Sequence, residues 1–178
     1  MNRIGVAIAL STLWVTAAFA TPQKSVVAPK LVGTTWLNTK DRPVESIKEF
    51  KGHVTILHFW TFECINCKHN LPSIAAWAKK YPVDQVQVIG VHTPELKEER
   101  NQKNLQEAIT RLGIEYPVIV DNNGENWNRY KVEVWPTVFI IDKKGQVRAY
   151  WVGELGWKGA TGFQDLSKIV QTLIKEPG

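Results

Sequence analysis

The sequence contains only two cysteines, Cys64 and Cys67, among its 178 residues. No basic run is longer than two residues, so nothing clusters to bind the phosphates of a nucleic acid, although the formal net charge is +5. After residue 20, no segment approaches the roughly 18 apolar residues that a membrane-spanning helix needs. Repeats are also absent. These absences argue against a nucleic-acid partner and a later membrane span, and the length suits one domain with a sizeable core.

Residues 1–20 have the features of a secretory signal peptide. A short basic start precedes an apolar run that begins at Ile4, and the run closes on Ala18-Phe19-Ala20, a small-x-small pattern suited to signal peptidase. The alternative is an uncleaved membrane anchor over residues 4–20, although this stretch is at the short limit for spanning a bilayer. The sequence therefore predicts export to a bacterial periplasm after cleavage.

Strands and helices alternate along the rest of the chain. A flexible lead-in is expected over residues 21–30, followed by one domain over residues 31–178. The segments 53–60 and 86–92 are almost continuously apolar, which is typical of strands buried on both faces. The other predicted elements are helices over 64–80, 98–112 and 163–175, helical turns over 125–130, and strands over 116–120, 136–142 and 146–152. This alternation implies parallel βαβ units with a closing antiparallel hairpin, an α/β sandwich with a mixed central sheet.

The two cysteines lie where the first buried strand gives way to a helix. Backbone N–H groups and the helix dipole favour an anion at the first turn, so the pKa of the Cys64 thiol is expected to be low. Cys67 lies one turn further in and is expected to be buried and protonated. This asymmetry predicts thiol–disulfide exchange, in which Cys64 attacks a partner disulfide and Cys67 resolves the mixed disulfide.

Two other interpretations of the pair remain open. An exported protein can use two cysteines as a structural staple, but a ring this short removes little entropy from the unfolded chain. A metal site could use Cys64, Cys67, His69 and His92, but structural zinc normally needs a second well-spaced ligand pair. We expect no metal and no cofactor other than the redox-active disulfide.

The residues around the pair resemble the thioredoxin superfamily. The resemblance is carried by the run from His58 to Lys68 that includes both cysteines, by Pro72, and by Trp135-Pro136-Thr137. The segment over 94–130 is similar to an insertion in exported TlpA-like proteins. Gly90-Val91-His92-Thr93-Pro94-Glu95, Asp121-Asn122 and Gly153-Glu154 resemble DipZ-type thioredoxin-like domains. The resemblance implies a thioredoxin-like three-layer sandwich with an inserted helix-bearing segment.

The same resemblance implies roles for residues outside the pair. Pro136 is the family's cis-proline, which presents the backbone of Trp135 to a partner chain. Gly153 and Glu154 either border the groove or simply follow the end of a strand. Ile65 and Asn66 lie between the cysteines, where a substrate docks. Pro136 as an ordinary proline at a strand start is the competing interpretation.

Two neighbours of the pair depart from thioredoxins proper. His58 stands where thioredoxins carry a buried Asp that takes the proton of the inner thiol, so His58 is either a catalytic base or a core residue. Glu63 stands where thioredoxins carry Trp, and its carboxylate either raises the pKa of Cys64 or points to solvent. His92 ends the second strand at the same edge, as a groove residue or a structural one.

The sequence thus predicts an exported, monomeric enzyme that exchanges disulfides with protein thiols. The TlpA-like resemblance favours a reductase that takes electrons from a membrane partner. A thiol peroxidase is an alternative on the same fold; Thr61 fits the peroxiredoxin pattern P-x-x-x-T-x-x-C, but Leu57 stands where its Pro should be. A redox-inactive binding module is a further alternative, against which the retention of both cysteines argues.

Overall fold

The computed structural model describes residues 26–40 and 42–178, so the predicted signal peptide lies outside the described residues. The strands are β1 (Val26–Val27), β2 (Trp36–Leu37), β3 (Val54–Trp60), β4 (Val86–His92), β5 (Val118–Val120), β6 (Thr137–Ile141) and β7 (Gln146–Val152). The helices are α1 (Val44–Lys48), α2 (Ile65–Lys80), α3 (Gln102–Arg111), α4 (Glu125–Arg129) and α5 (Gly162–Lys175), with 3₁₀ turns at Lys97–Arg100 and Trp157–Gly159. Among the described residues, no helix combines the length and apolarity needed to cross a membrane.

One mixed sheet of seven strands runs through the molecule in the order β1-β7-β6-β3-β4-β5-β2. At its centre, β3 pairs in parallel with β4 and antiparallel with β6. Alternate side chains of β3 enter two different cores: Ile56 and Trp60 pack towards α2, α3 and α5, whereas Leu57 and Phe59 pack on the opposite face. The predicted α/β sandwich with a mixed sheet is confirmed, because both faces of the central strands are covered.

The structure divides the helix predicted over 98–112. Residues 97–100 form a 3₁₀ turn, and α3 starts only after Asn101, whose side-chain oxygen accepts hydrogen bonds from the backbone of Lys103 and Asn104. Asn is a favoured N-cap because its oxygen satisfies donors that the first helical turn leaves free. The division matters for the site, since it turns Glu99 into the interior.

The second half of the predicted lead-in is part of the sheet. Val26 pairs with Val147 in an antiparallel ladder, and Ala28 is buried beside the core. Two-residue strands such as β1 carry too little apolar alternation to be predicted from sequence, so their position depends on the neighbouring strand.

Candidate active site

The end of β3 and the start of α2 place the two cysteines. Cys64 is the N-cap of α2, and its Sγ accepts a hydrogen bond from the backbone N–H of Cys67 at 3.2 Å. Both thiols are free; Cys64 is partly exposed, whereas Cys67 is fully buried against the core. Because a helix N-terminus offers unpaired N–H groups, negative charge on Cys64 is stabilised there.

The surroundings shift the pKa values of the two thiols in opposite directions. The pKa of Cys64 is lowered to about 7, chiefly because the Cys67 thiol and backbone N–H groups of Cys67 and Asn66 hydrogen-bond to it, while burial and the Glu95 carboxylate oppose this. Burial raises the pKa of Cys67 far above its ordinary range, and the neighbouring Cys64 adds to this rise. Near neutral pH, the accessible thiol is therefore the one that ionises.

Pro136 lies at the same end of the sheet as the cysteines. Thr137 pairs with Phe59 near the end of β3 and with Val152 near the end of β7. The Trp135–Pro136 peptide bond is cis, and the carbonyl of Pro136 accepts a hydrogen bond from the N–H of Gly153 at 2.8 Å. The topology thus brings the segment before β6 and the end of β7 to the edge from which the Cys64 loop leaves.

Aromatic contacts hold the segment before Pro136. The indole N–H of Trp135 donates to the carbonyl of Thr93 at 3.1 Å, and its ring packs against Trp127 with the centroids 4.1 Å apart. Asp121 accepts hydrogen bonds from the Thr93 hydroxyl and the backbone N–H of Trp127, so one buried carboxylate supports both contacts of Trp135.

Among the other residues predicted to face a partner, Ile65 and Asn66 are exposed, whereas Gly153 and Glu154 are half-buried. Ile65 is 60% exposed and Asn66 is also exposed, which makes the first turn of α2 accessible. Oε1 of the Glu154 carboxylate lies 3.1 Å from Nδ1 of His69. The His69 ring in turn stacks on Trp157, with the ring centroids 4.1 Å apart.

The structure places His58 in the interior, on the α2 side of the sheet. Its side chain is fully buried, and neither ring nitrogen has a hydrogen-bond partner among the described residues. Burial lowers the pKa of His58 to about 3, because the charged imidazolium is costly in an apolar environment.

His92 is buried beside Cys64's loop. Its Nε2 lies 3.3 Å from the Thr61 hydroxyl, its ring stacks on Phe62, and burial lowers its pKa to about 4. His92 therefore supports the loop from inside.

Glu63 pairs with a lysine of α2. Its carboxylate lies 3.5 Å from the ammonium of Lys68, and its side chain is 49% exposed. The carboxylate that opposes ionisation of Cys64 belongs instead to Glu95.

Two buried polar residues at the site were not anticipated from the sequence. Asn70 donates to the carbonyl of Gly153 at 3.1 Å and accepts from the N–H of Leu155 at 2.6 Å, so it ties α2 to the loop after β7. Glu99 accepts hydrogen bonds beneath the Cys64 loop. Asn70 could have been suspected as the polar member of an apolar helix face, but Glu99 looks in sequence like part of a solvated charged run.

The histidines considered as metal ligands have other partners. His69 faces Glu154 and Trp157, and His92 faces Thr61. Within residues 26–40 and 42–178, no three His, Cys, Asp or Glu side chains are grouped so that they could hold a metal ion.

Comparisons with known proteins agree with this geometry. A family profile described as "AhpC/TSA family" matches residues 27–150. The chain is 39% identical to Protein DipZ of Mycobacterium bovis over 128 residues, which cover 71% of this chain and 18% of DipZ. It therefore spans less than a fifth of that relative's length.

Two further comparisons extend over most of this chain and most of the compared protein. The thiol-disulfide oxidoreductase YkuV of Bacillus subtilis is 30% identical over 149 residues, which cover 83% of this chain and 94% of YkuV. The crystal structure of a thioredoxin-like superfamily protein superposes with a TM-score of 0.73 at 24% identity, over 85% of this chain and 98% of that one. The predicted thioredoxin-like fold is thus confirmed, and relatives of the chain are thiol–disulfide oxidoreductases. The chain belongs to the AhpC/TSA family, with a thioredoxin-like fold and a Cys64–Cys67 pair at the start of its second helix.

Proposed function

We propose that this protein is an exported thiol–disulfide oxidoreductase that reduces disulfides of protein partners through Cys64 and Cys67. The observation that carries the proposal is the inequality of the two thiols: the pKa of the accessible one is lowered to about 7, and the pKa of the buried one is raised. The reaction class is supported by relatives such as YkuV. Export is supported by the sequence of residues 1–20.

The first step uses the accessible thiol. The Cys64 thiolate attacks one sulfur of a partner disulfide, the partner's S–S bond breaks, and the partner's other sulfur leaves as a thiolate that takes a proton from solvent. A new bond now joins Cys64 to the partner. The N–H groups of Cys67 and Asn66 stabilise the attacking thiolate.

The second step uses the buried thiol. Cys67 loses its proton, attacks Cys64 Sγ, and displaces the partner's sulfur, which leaves as a thiolate and is protonated. The partner has then gained two electrons and two protons, and the protein holds a Cys64–Cys67 disulfide. A dithiol donor must reduce this disulfide before the next cycle, and we propose a membrane protein as that donor.

The surface around Cys64 would receive the partner chain. We propose that Trp135, with Pro136 behind it, presents its backbone to the partner, while Ile65 and Asn66 contact it from α2. Gly153 and Glu154 border the opposite side. The exposed fraction of Ile65, 60%, is unusual for an isoleucine and suits an apolar contact with a partner.

Trapping of the mixed disulfide tests the proposal. Variants Cys64→Ser and Cys67→Ser are each incubated with oxidised glutathione, quenched in acid and analysed by mass spectrometry. We expect glutathione on Cys64 of the Cys67→Ser protein within seconds to minutes, and at least tenfold slower modification of Cys67 in the Cys64→Ser protein. Equal rates for the two thiols would contradict the assignment of nucleophile and resolver.

A second assay separates this function from a peroxidase. Hydrogen peroxide is added to the reduced protein, and both its consumption and the sulfenic acid on Cys64 are measured. We expect slow consumption, because Leu57 replaces the expected proline and the Thr61 hydroxyl donates to Glu99. Rapid turnover of peroxide with the Cys64 sulfenic acid would support the peroxidase instead.

The direction of electron flow is tested by equilibrium with glutathione. The tryptophan fluorescence of the wild-type protein is followed while the ratio of reduced to oxidised glutathione is varied. A reduction potential near roughly −270 mV supports a reductase, and one near roughly −120 mV contradicts it.

A further inference from the structure

A buried carboxylate is hydrogen-bonded to the loop that leads to the redox pair. Glu99 is fully buried, although it belongs to a segment rich in exposed charges. Burying a carboxylate is costly unless its oxygens are well hydrogen-bonded. In the part of the chain that the structure describes, the partners of Glu99 are one hydroxyl and three backbone N–H groups, which meet this requirement.

These partners come from the two segments that surround Cys64. Oε1 of Glu99 accepts from the Thr61 hydroxyl and, at 3.0 Å, from the N–H of Glu63, the residue before Cys64. Oε2 accepts from the N–H groups of Glu95 and Leu96, each at 2.7 Å. Glu99 therefore joins the loop that leads to Cys64 to the loop that follows β4.

Its hydrogen bonds keep this carboxylate charged. Burial by itself raises the pKa of Glu99, but the bonds from Leu96, Thr61, Glu63 and Glu95 outweigh it, and the pKa lies below its ordinary range. An ionised group in the interior acts over several ångströms, because the protein screens it less than water does. The same charge is among the causes that raise the pKa of Cys67.

We propose that Glu99 is a positioning residue that makes the Cys64–Cys67 pair more reducing, by placing a permanent negative charge beneath the Cys64 loop. The disulfide is neutral, whereas the reduced pair carries a thiolate. A fixed negative charge therefore raises the free energy of the reduced form relative to the disulfide and favours donation of electrons. The inference rests on the proposed function, because it concerns the same two thiols.

The test compares reduction potentials of matched variants in glutathione buffers. For Glu99→Gln, which removes the charge and keeps the size, we expect the equilibrium constant for oxidation by glutathione disulfide to fall about tenfold, equivalent to about 30 mV. Glu98→Gln is the control, since it removes the charge of an exposed neighbour, and we expect less than a twofold change.

Glu99→Asp separates charge from packing. It keeps the negative charge with a shorter side chain, so its equilibrium constant should stay within about threefold of the wild type even if it is less stable. Circular dichroism verifies that each variant is folded. A tenfold change of the equilibrium constant in folded Glu99→Asp, or an unchanged constant in folded Glu99→Gln, overturns the proposal. The Glu99→Asp result can overturn it even if the Glu99→Gln variant does not fold.

The same data distinguish the two levels of inference. If the wild-type protein does not equilibrate with glutathione at all, the proposed oxidoreductase function fails. If the wild type equilibrates normally and Glu99→Gln matches it, only the role of Glu99 fails.

Discussion

At the scale of single residues, the chemistry of Cys64 depends on a few hydrogen bonds. Its Sγ is the cap of α2 and receives the N–H of Cys67 at 3.2 Å. An unperturbed thiol has a pKa of about 8.5. The lowered pKa of Cys64 means that a large share of this thiol is ionised at neutral pH, where ordinary thiols react slowly.

The first prediction concerns the pH dependence of Cys64. The rate of its alkylation by iodoacetamide in the reduced protein should rise between pH 6 and pH 8 with a midpoint near the pKa of about 7. Because only the thiolate reacts, the rate falls as pH falls through that value. Mass spectrometry measures the modified fraction, and Cys64→Ser provides the blank. A midpoint at or above pH 8.5 would contradict the hydrogen-bonding account.

The second prediction concerns His58. With its pKa lowered to about 3, the ring should stay neutral between pH 5 and pH 8, and its NMR resonances should not titrate in that range. A neutral ring could still take the proton of Cys67 during resolution. In protein that carries glutathione on Cys64, His58→Ala should then slow the release of glutathione by Cys67 at least tenfold, whereas an unchanged release rate would leave His58 a core residue.

At the scale of elements, α2 does more than carry the cysteines. The Asn70 amide is fully buried and pairs with both the carbonyl of Gly153 and the N–H of Leu155, as a strand would. The N–H of Gly153 in turn donates to the Pro136 carbonyl. One helix thus connects the nucleophile to the segments that would hold a partner.

The third prediction tests this connection. Asn70→Ala leaves the buried N–H of Leu155 and the half-buried carbonyl of Gly153 without their partner, so the free energy of unfolding should fall by about 2–4 kcal/mol. Urea denaturation measures the loss. Asn66→Ala, an exposed asparagine in the first turn of the same helix, is the control and should change stability by less than about 0.5 kcal/mol. Equal effects of the two substitutions would show that the amide contacts are unimportant.

At the scale of the whole molecule, the sheet gathers polar groups in a largely apolar interior. His58 and His92 lie on neighbouring central strands, and the structure buries both. The unfolded chain exposes them to water, where a histidine binds a proton below about pH 6.5. Folding therefore competes with protonation in acid.

The fourth prediction follows from this competition. The folded-state pKa values are lowered to about 3 and about 4, so below pH 6.5 the unfolded state binds more protons than the folded one. Stability is fully present above pH 6.5 and decreases as pH falls from there. Between pH 7 and pH 5, we expect a loss of about 3–4 kcal/mol for the two histidines together. The half-buried His53 contributes in the same direction.

Urea denaturation at several pH values measures this loss. The control is the interval from pH 7 to pH 8, in which the buried histidines contribute almost nothing. Equal stability at pH 7 and pH 5 would mean that the histidines are protonated in the folded protein.

Much of this architecture could be predicted because its signals are local. Val86–His92 was predicted with the bounds that β4 has, and β3 and α2 differ from prediction by one residue at the start. Continuous apolar runs, a cysteine at a helix start and turn residues such as Asp121–Gly124 each act through neighbours in the chain. The position of the redox pair followed from such signals.

The helix predicted over 98–112 shows where local signals end. Its periodicity is helical throughout, yet Asn101 caps a new helix and the preceding turn directs Glu99 inwards. No sequence pattern predicts that the Glu99 carboxylate is buried. Its hydrogen-bond donors belong to residues 61–63 and 95–96, which only the folded chain brings to it.

The sequence by itself determined the α/β class, the central strands and the position of Cys64 at the start of a helix, since periodicity and capping depend on adjacent residues. The tertiary structure alone decided what surrounds that thiol. It turned Glu63 towards Lys68, enclosed His58 without a hydrogen-bond partner among the described residues, and placed Glu99 beneath the loop. Burial and hydrogen bonding between distant segments determine the energy of a charge, and these depend on how the chain packs.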